Sequence, residues 1–203
     1  MLNNPLLPTA YFAPIYYYAI LVQSKSCIIE SHENFIKQSI RNRCEIYNSN
    51  GKLRLSIPLI RKRNSKTKIA AVEIAYNENW QKTHWKSIIS AYNSSPFFEY
   101  YKDNIEQFFI EKEPYLINFN NKIQEVIIDL IQEKISINES KKYQLDGPFK
   151  DYRNFDFKIK NAKRYNQVFM EKHRFIANLS ILDLLFNLGP ESSNYLRNLN
   201  INQ

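Results

Sequence analysis

Histidine, paired arginines and isolated carboxylates are the residues of this chain whose types and spacing could do chemistry. In "NENWQKTHWKSIISAYNSSPFFEYY", residues 77–101, a helical reading puts Trp80, His84, Ile88 and Ala91 on one face, because side chains three or four apart are neighbours. Trp85, Ile89 and Tyr92 make an adjoining apolar stripe. His84 therefore faces the interior or a cleft. As an acid or base it would need a pKa near working pH and a partner for its second ring nitrogen. As a packing residue it would be a neutral imidazole hydrogen-bonded inside the core. Spacing leaves both readings open.

Arg41, Asn42 and Arg43 are the second group. If they lead into a strand, Arg41 and Arg43 project to one face with period two. Two guanidiniums on one face suit bidentate capture of a phosphate or carboxylate. The alternative is a pair of edge charges that discourage strand pairing. Glu30 and His32 follow the apolar run "CII", and the ends of central strands are where α/β proteins display reactive groups. Asn178, Ser180 and Asp183 open a late apolar segment. They are natural helix-capping and first-turn residues, or else a polar wall that orients His84 or a substrate.

The elements needed to hold these groups follow from the patterning. The segment "IYYYAILVQSK" reads as a helix, "AYFAP" as a short extended piece and "CIIE" as a central strand. The segment "CEIYNSNGKLRLSIPLI" reads as two alternating strands joined at Asn50-Gly51, the dipeptide that supplies positive φ in tight hairpins. In its second half Leu53, Leu55 and Ile57 alternate with Lys52, Arg54 and Ser56, giving one buried and one wet face. "AAVEIAY" reads as a further strand, and Asn77 or Asn79 as the cap of the Trp80 helix. Ser95-Pro96 opens the next helix, which buries Phe97, Tyr101, Ile105 and Phe108. Pro114 opens a third, "EKISIN" holds a strand, and "LSILDLLFNLGP" gives a final apolar helix ending at Gly189-Pro190. Residues 139–164 are polar and rich in Lys and Asn, an excursion over the surface of a single domain spanning 1–203. Strands and helices mix, so the expected class is α/β, a mixed sheet with helices packed on it in three layers, with α+β as the alternative.

Composition narrows the function classes. The 203 residues, 44% hydrophobic and 24% charged, can bury a core of ordinary size. Only 3 glycines are present and no glycine-rich phosphate loop can be read, which excludes the common nucleotide fingerprints. The net charge of +8 points to an anionic partner, or to plain enrichment in lysine. Cys27 and Cys44 have no metal-ligand spacing, so no metal site is expected. A Cys27–His84–Asn178 triad lacks the electropositive setting that activates a thiol. The apolar stretch at 6–23 carries Pro8 and Pro14, and its continuous part falls short of the ~20 residues of a membrane span. The basic runs Arg61, Lys62, Arg63, Lys66 and Lys68, and Lys158 to Arg164, support a rival reading, a non-catalytic module binding nucleic acid or an acidic membrane surface. No zinc-finger or RNA-binding signature accompanies them, so nucleic acid is the less expected partner.

"YFAPIYYYAIL", "RNRCEI", "GKLRLSIPL", "WQKTHWKSIISAYNSSPFFEYY" and "NLSILDLLFNLGP" together resemble the WbqC-like protein family, in order, from about Tyr11 to Tyr195. The resemblance implies a bacterial cytoplasmic protein linked to surface-polysaccharide (O-antigen) assembly. For some members it implies transfer of an acyl or amino-acid group. Where many members look to carry an acidic pair after the second strand, this chain has Glu30-Ser31. The expectation is therefore a transferase acting on a small anionic or phosphorylated donor, in company with polysaccharide-biosynthesis enzymes. Its catalytic candidates are His84, Glu30 and His32, and its substrate-binding candidates are Arg41, Asn42, Arg43, Trp80, Tyr92, Asn178 and Asp183. The cofactor is unspecified.

Overall fold

The computed structural model describes residues 4–60, 67–157 and 162–201. Its centre is a four-stranded, wholly parallel sheet: β1 (Pro5–Leu7), β2 (Ser26–Ile29), β5 (Ser136–Glu139) and β6 (Lys150–Asp151), in the order β5-β2-β1-β6. A separate antiparallel hairpin joins β3 (Arg43–Asn48) to β4 (Gly51–Ser56). The helices are α1 (Ile15–Ser24), α2 (Trp80–Tyr92), α3 (Phe98–Ile110), α4 (Leu116–Leu130), the short α5 (Met170–His173), α6 (Ile181–Leu188) and α7 (Ser192–Arg197). The class is α/β.

The β1–α1–β2 unit explains the apolar beginning of the chain. Residues 15–22 of α1 are all buried, as for a helix covered on every side. Its tyrosines need partners there: Tyr16 donates to the Ile201 carbonyl at 2.8 Å and Tyr17 to the Pro8 carbonyl at 2.9 Å. Lys25 closes the helix in the left-handed region, its N–H bonding the Leu21 carbonyl, a geometry that satisfies an end carbonyl. In the sheet β1 is buried throughout, and β2 buries Cys27 and Ile29. The outer strands β5 and β6 are largely exposed. The polar sequence of 139–164 is thus only partly surface: Lys150 and Asp151 pair with Pro5 and Leu6, and Tyr152, Arg153 and Phe157 are buried.

Four local expectations are corrected. "AYFAP" is a bend with one bridge, Pro14 to Ser180, while the strand lies earlier, in a three-residue segment whose first residue is proline. "AAVEIAY" forms a 3-10 turn at Ile69–Ala71 and then isolated bridges to Leu59 and Tyr115. Ala75 N–H bonds the Pro58 carbonyl and Ile74 N–H the Pro114 carbonyl. Proline has no N–H to return, so neither ladder extends. The hairpin loop is Ser49-Asn50, with Gly51 starting β4 at φ +96°, a backbone that glycine alone adopts without strain. Helix α3 is capped at Phe97 in place of Ser95, whose carbonyl accepts from the Phe98 N–H at 3.2 Å. Phe97 and Tyr101 are only half-buried there, and Phe98 and Phe109 fill the core instead.

Candidate functional site: an anion-compatible cleft beside the hairpin

A cleft of about 650 Å³ opens where the hairpin meets the starts of α1 and α6. Loop residues Phe12 and Pro14, loop residues Gln38 to Ile40, strand residues Arg43 to Glu45, and Lys52 and Arg54 form one side. Asp156, Phe157, Ala177, Asn178 and Ser180 form the other. The volume suits a substrate of drug or nucleotide size. Three cations face it, and two are committed. Lys52 and Arg54 each contact the Glu45 carboxylate at 2.9 Å. Burial works to raise the Glu45 pKa, but the two cationic contacts outweigh it and hold the carboxyl below its usual value. Arg43 is different: its Nε is buried and has no hydrogen-bond partner. An orphaned guanidinium N–H is costly, and an anion in the cleft would satisfy it.

The backbone around the cleft is strained. Phe12 (φ 37°), Gln38 (φ 57°) and Asn178 (φ 57°) all have positive φ, and all three line the cleft. Such conformations cost free energy for residues with a Cβ and gather at functional sites. Side chains hold them in place. Asn178 Oδ1 accepts from the Tyr16 N–H at 2.9 Å, and its amide donates to the Phe157 carbonyl. Ser180 Oγ donates to the Phe12 carbonyl at 2.9 Å and accepts from the Leu182 N–H. Both helices therefore start at the cleft, with the positive ends of their dipoles toward it.

The structure disperses the other candidates over three further places. Glu30 lies at the carboxyl ends of the parallel strands, fully buried and saturated. Its Oε1 accepts from Ser140 Oγ at 2.6 Å and from the His32 N–H at 2.9 Å. Its Oε2 accepts from the Gln144 N–H at 2.9 Å and from Arg153 at 3.3 Å. Arg153 also clamps Asp151 at 2.7 Å. Arg41 belongs to this cluster and does not share a strand face with Arg43, because β3 begins only at Arg43. Its guanidinium grips Glu33 through both carboxylate oxygens, at 2.7 and 2.6 Å, and reaches the Arg153 carbonyl. Burial nevertheless raises the Glu33 pKa. Asn42 is structural, its amide donating to the Ile57 carbonyl at 3.0 Å.

His84 sits in an aromatic box away from both groups. Its Nδ1 meets the Tyr11 hydroxyl at 2.9 Å, and the rings of Trp80, Tyr11 and Phe109 surround it at 5.1 to 6.5 Å. Burial lowers its pKa to about 4, with the nearby Ser56 backbone opposing. At neutral pH it is an uncharged ring whose Nδ1 accepts a hydrogen bond from the Tyr11 hydroxyl. Among the described residues, no hydrogen bond or ion pair joins it to Glu30, Arg41 or Arg43, and it does not line the large cleft. Trp80 is buried with its indole N–H unpartnered. Asp183, fully buried, accepts from Tyr165 at 2.5 Å and Gln167 at 2.7 Å, with Tyr92 close by. Burial raises its pKa to about 6. Tyr92 in turn accepts the Tyr47 N–H at 3.1 Å.

Of the catalytic and substrate-binding candidates only Arg43 and Asn178 line this cleft, and Phe12, Gln38 and Asp156 were not among the candidates. Sequence reasoning also missed Glu33 and Arg153, the partners that decide what Arg41 and Glu30 do. Glu33, three residues past Glu30, was the one with a readable signal. Cys27 is buried, which pushes its thiol up to about 12, so no reactive thiolate forms. No group of three or more His, Cys, Asp or Glu among the described residues could hold a metal ion. Most of the two basic runs, Arg61 to Lys66 and 158–161, lies outside the described residues.

The fold and the cleft define an α/β protein with a cation-lined cleft beside its hairpin. The chain belongs to the WbqC-like protein family, whose model matches residues 9–151. No curated protein matches it. No helix among the described residues is long and apolar enough to cross a membrane.

Proposed function

We propose that this protein is a cytoplasmic transferase of surface-polysaccharide assembly that takes a small phosphorylated, activated donor in the cleft beside the hairpin. The observation that carries the reading is that Arg43, whose buried Nε has no hydrogen-bond partner, lines a cavity of about 650 Å³. Arg43 holds the donor's negative group, helped by the two helix starts. Asp156, an exposed carboxylate on the cleft wall, accepts the proton of the attacking hydroxyl or amine. The donor's bond to its phosphate then breaks and the phosphate departs with the bonding pair. His84 and Glu30 serve this reading as scaffold, since their side-chain hydrogen bonds are made within the protein, and His32 contributes its backbone N–H to Glu30.

Calorimetric titration with inorganic pyrophosphate tests the anion site. Arg43→Gln should weaken binding roughly 10- to 100-fold, the worth of a hydrogen bond to a charged group, with the melting temperature unchanged. Turnover is read as release of the leaving group: inorganic phosphate from acyl phosphates, AMP from aminoacyl adenylates and the nucleotide from nucleotide-activated sugars. Asp156→Asn should abolish release while pyrophosphate still binds. Intact binding with no release from any donor would leave a binding module and remove the transferase.

A further inference from the structure

A second cavity, of about 390 Å³, lies among the C-terminal helices, outside the residues that the family model matches. Its walls include Tyr165, Leu188, Tyr195 and Leu199, and its charged residues are Lys163, Arg164 and Glu191. The two tyrosine rings meet edge to face, 5.3 Å apart at 82°. Both hydroxyls are spent elsewhere: Tyr165 donates to Asp183 at 2.5 Å, and Tyr195 to the Lys163 carbonyl at 2.6 Å. The hydroxyl protons being used, the rings can offer the cavity hydrocarbon surface. Glu191 is in contact with the Asn194 amide at 3.3 Å. Lys163 and Arg164 are exposed and make no ion pair among the described residues.

We infer that this cavity is a binding site for a small amphipathic anion, an aliphatic or aromatic body carrying one carboxylate or phosphate. The apolar body lies against Tyr165, Leu188, Tyr195 and Leu199, and the head reaches Lys163 and Arg164. Removal of the body from water supplies the larger part of the affinity. The exposed cations choose the sign of the head, which exposed charges do at modest strength. The site stands independently of the cleft at Arg43, with which it shares no lining residue.

Octanoate and 1-octanol, titrated calorimetrically into the full-length protein below their aggregation concentrations, are the probes. Octanoate should bind roughly ten-fold more tightly than octanol, from two exposed charge contacts. The double variant Lys163→Gln/Arg164→Gln should erase that preference and leave octanol unchanged. Asn194→Trp, an exposed position on the cavity wall, should block both ligands with no loss of melting temperature. Arg43→Gln should leave octanoate binding as it is. Equal affinity for the two ligands, or binding indifferent to Asn194→Trp, would overturn the assignment. So would loss of octanoate binding in Arg43→Gln, which would put the ligand in the other cleft.

Discussion

Arg41 and Arg43 stand two residues apart and have opposite fates. Arg41 is buried, two-pronged on Glu33 and bonded to the Arg153 carbonyl, in a cluster where Glu30, Ser140 and Asp151 complete the pairing. Arg43 opens the hairpin, half-buried on the cleft wall, and its Nε has no hydrogen-bond partner among the described residues. The first charge cluster lies at the carboxyl edge of the parallel sheet, where α/β proteins commonly bind ligands, yet its side chains have spent their hydrogen bonds on one another. The second lies off the sheet and keeps capacity in reserve. Position in the fold is thus a weaker guide to a site than an unfilled donor.

Removing one partner from each cluster separates them most sharply. Glu33→Gln leaves the buried Arg41 charge without its counter-ion and should cost about 3–5 kcal/mol in denaturant unfolding. A loss below about 1 kcal/mol would show the pair to be dispensable and undo the contrast.

The next effects are the two pH responses of buried groups, which run in opposite senses. His84 has a folded pKa of about 4, below its ordinary 6.5. The unfolded chain therefore binds the extra proton first, and stability is lost as pH falls from about 6.5 toward 4, by roughly 3 kcal/mol. In His84→Gln that pH-dependent loss should be absent, while neutral-pH stability falls by roughly 1–3 kcal/mol, because the ring fills an aromatic box and partners the Tyr11 hydroxyl. Asp183 has a folded pKa of about 6 against 3.8. The folded chain takes its proton first, so the carboxyl adds stability as pH falls through 6, again by roughly 3 kcal/mol when complete. Asp183→Asn should abolish that gain, leaving His84 to dominate, and unfolding curves of both variants at pH 7.5, 6 and 4.5 would read the two slopes separately. Slopes of the same sign in the two variants would contradict the assigned burial.

The smallest effect belongs to the cleft. Arg43→Gln removes a half-buried charge whose Nε has no partner and should change stability by less than about 0.5 kcal/mol, against its large effect on anion binding. A marked destabilisation would mean that Arg43 is a structural residue like Arg41.

What the sequence made legible follows the same division. Periodicity located the Trp80 helix and the hairpin strands, which bury one countable face, while α1 and the last apolar helix, buried on nearly all sides, were legible as continuous apolar runs. Asn79 was readable as a cap and accepts the Lys82 N–H. Periodicity could not locate β1 or β6, which are two or three residues long and take their place only through pairing with distant segments. The bridges of 69–76 depended on the prolines facing them, Pro58 and Pro114. The site was harder still. Arg41 looked like a ligand clamp because Glu33 lies eight residues away across a loop. Phe12 and Gln38 gave no sign of positive φ, since neither is a residue type that favours it.

The sheet carries a consequence for biosynthesis. Strand β2 is complete by Ile29, yet its outer neighbour β5 starts only at Ser136, so a large part of the chain must leave the ribosome before that pairing can form. The β1–α1–β2 unit can assemble early from local contacts, leaving one flank of β2 open throughout. A nascent chain in that state presents an unpaired edge backed by the apolar α1, the kind of surface that invites self-association.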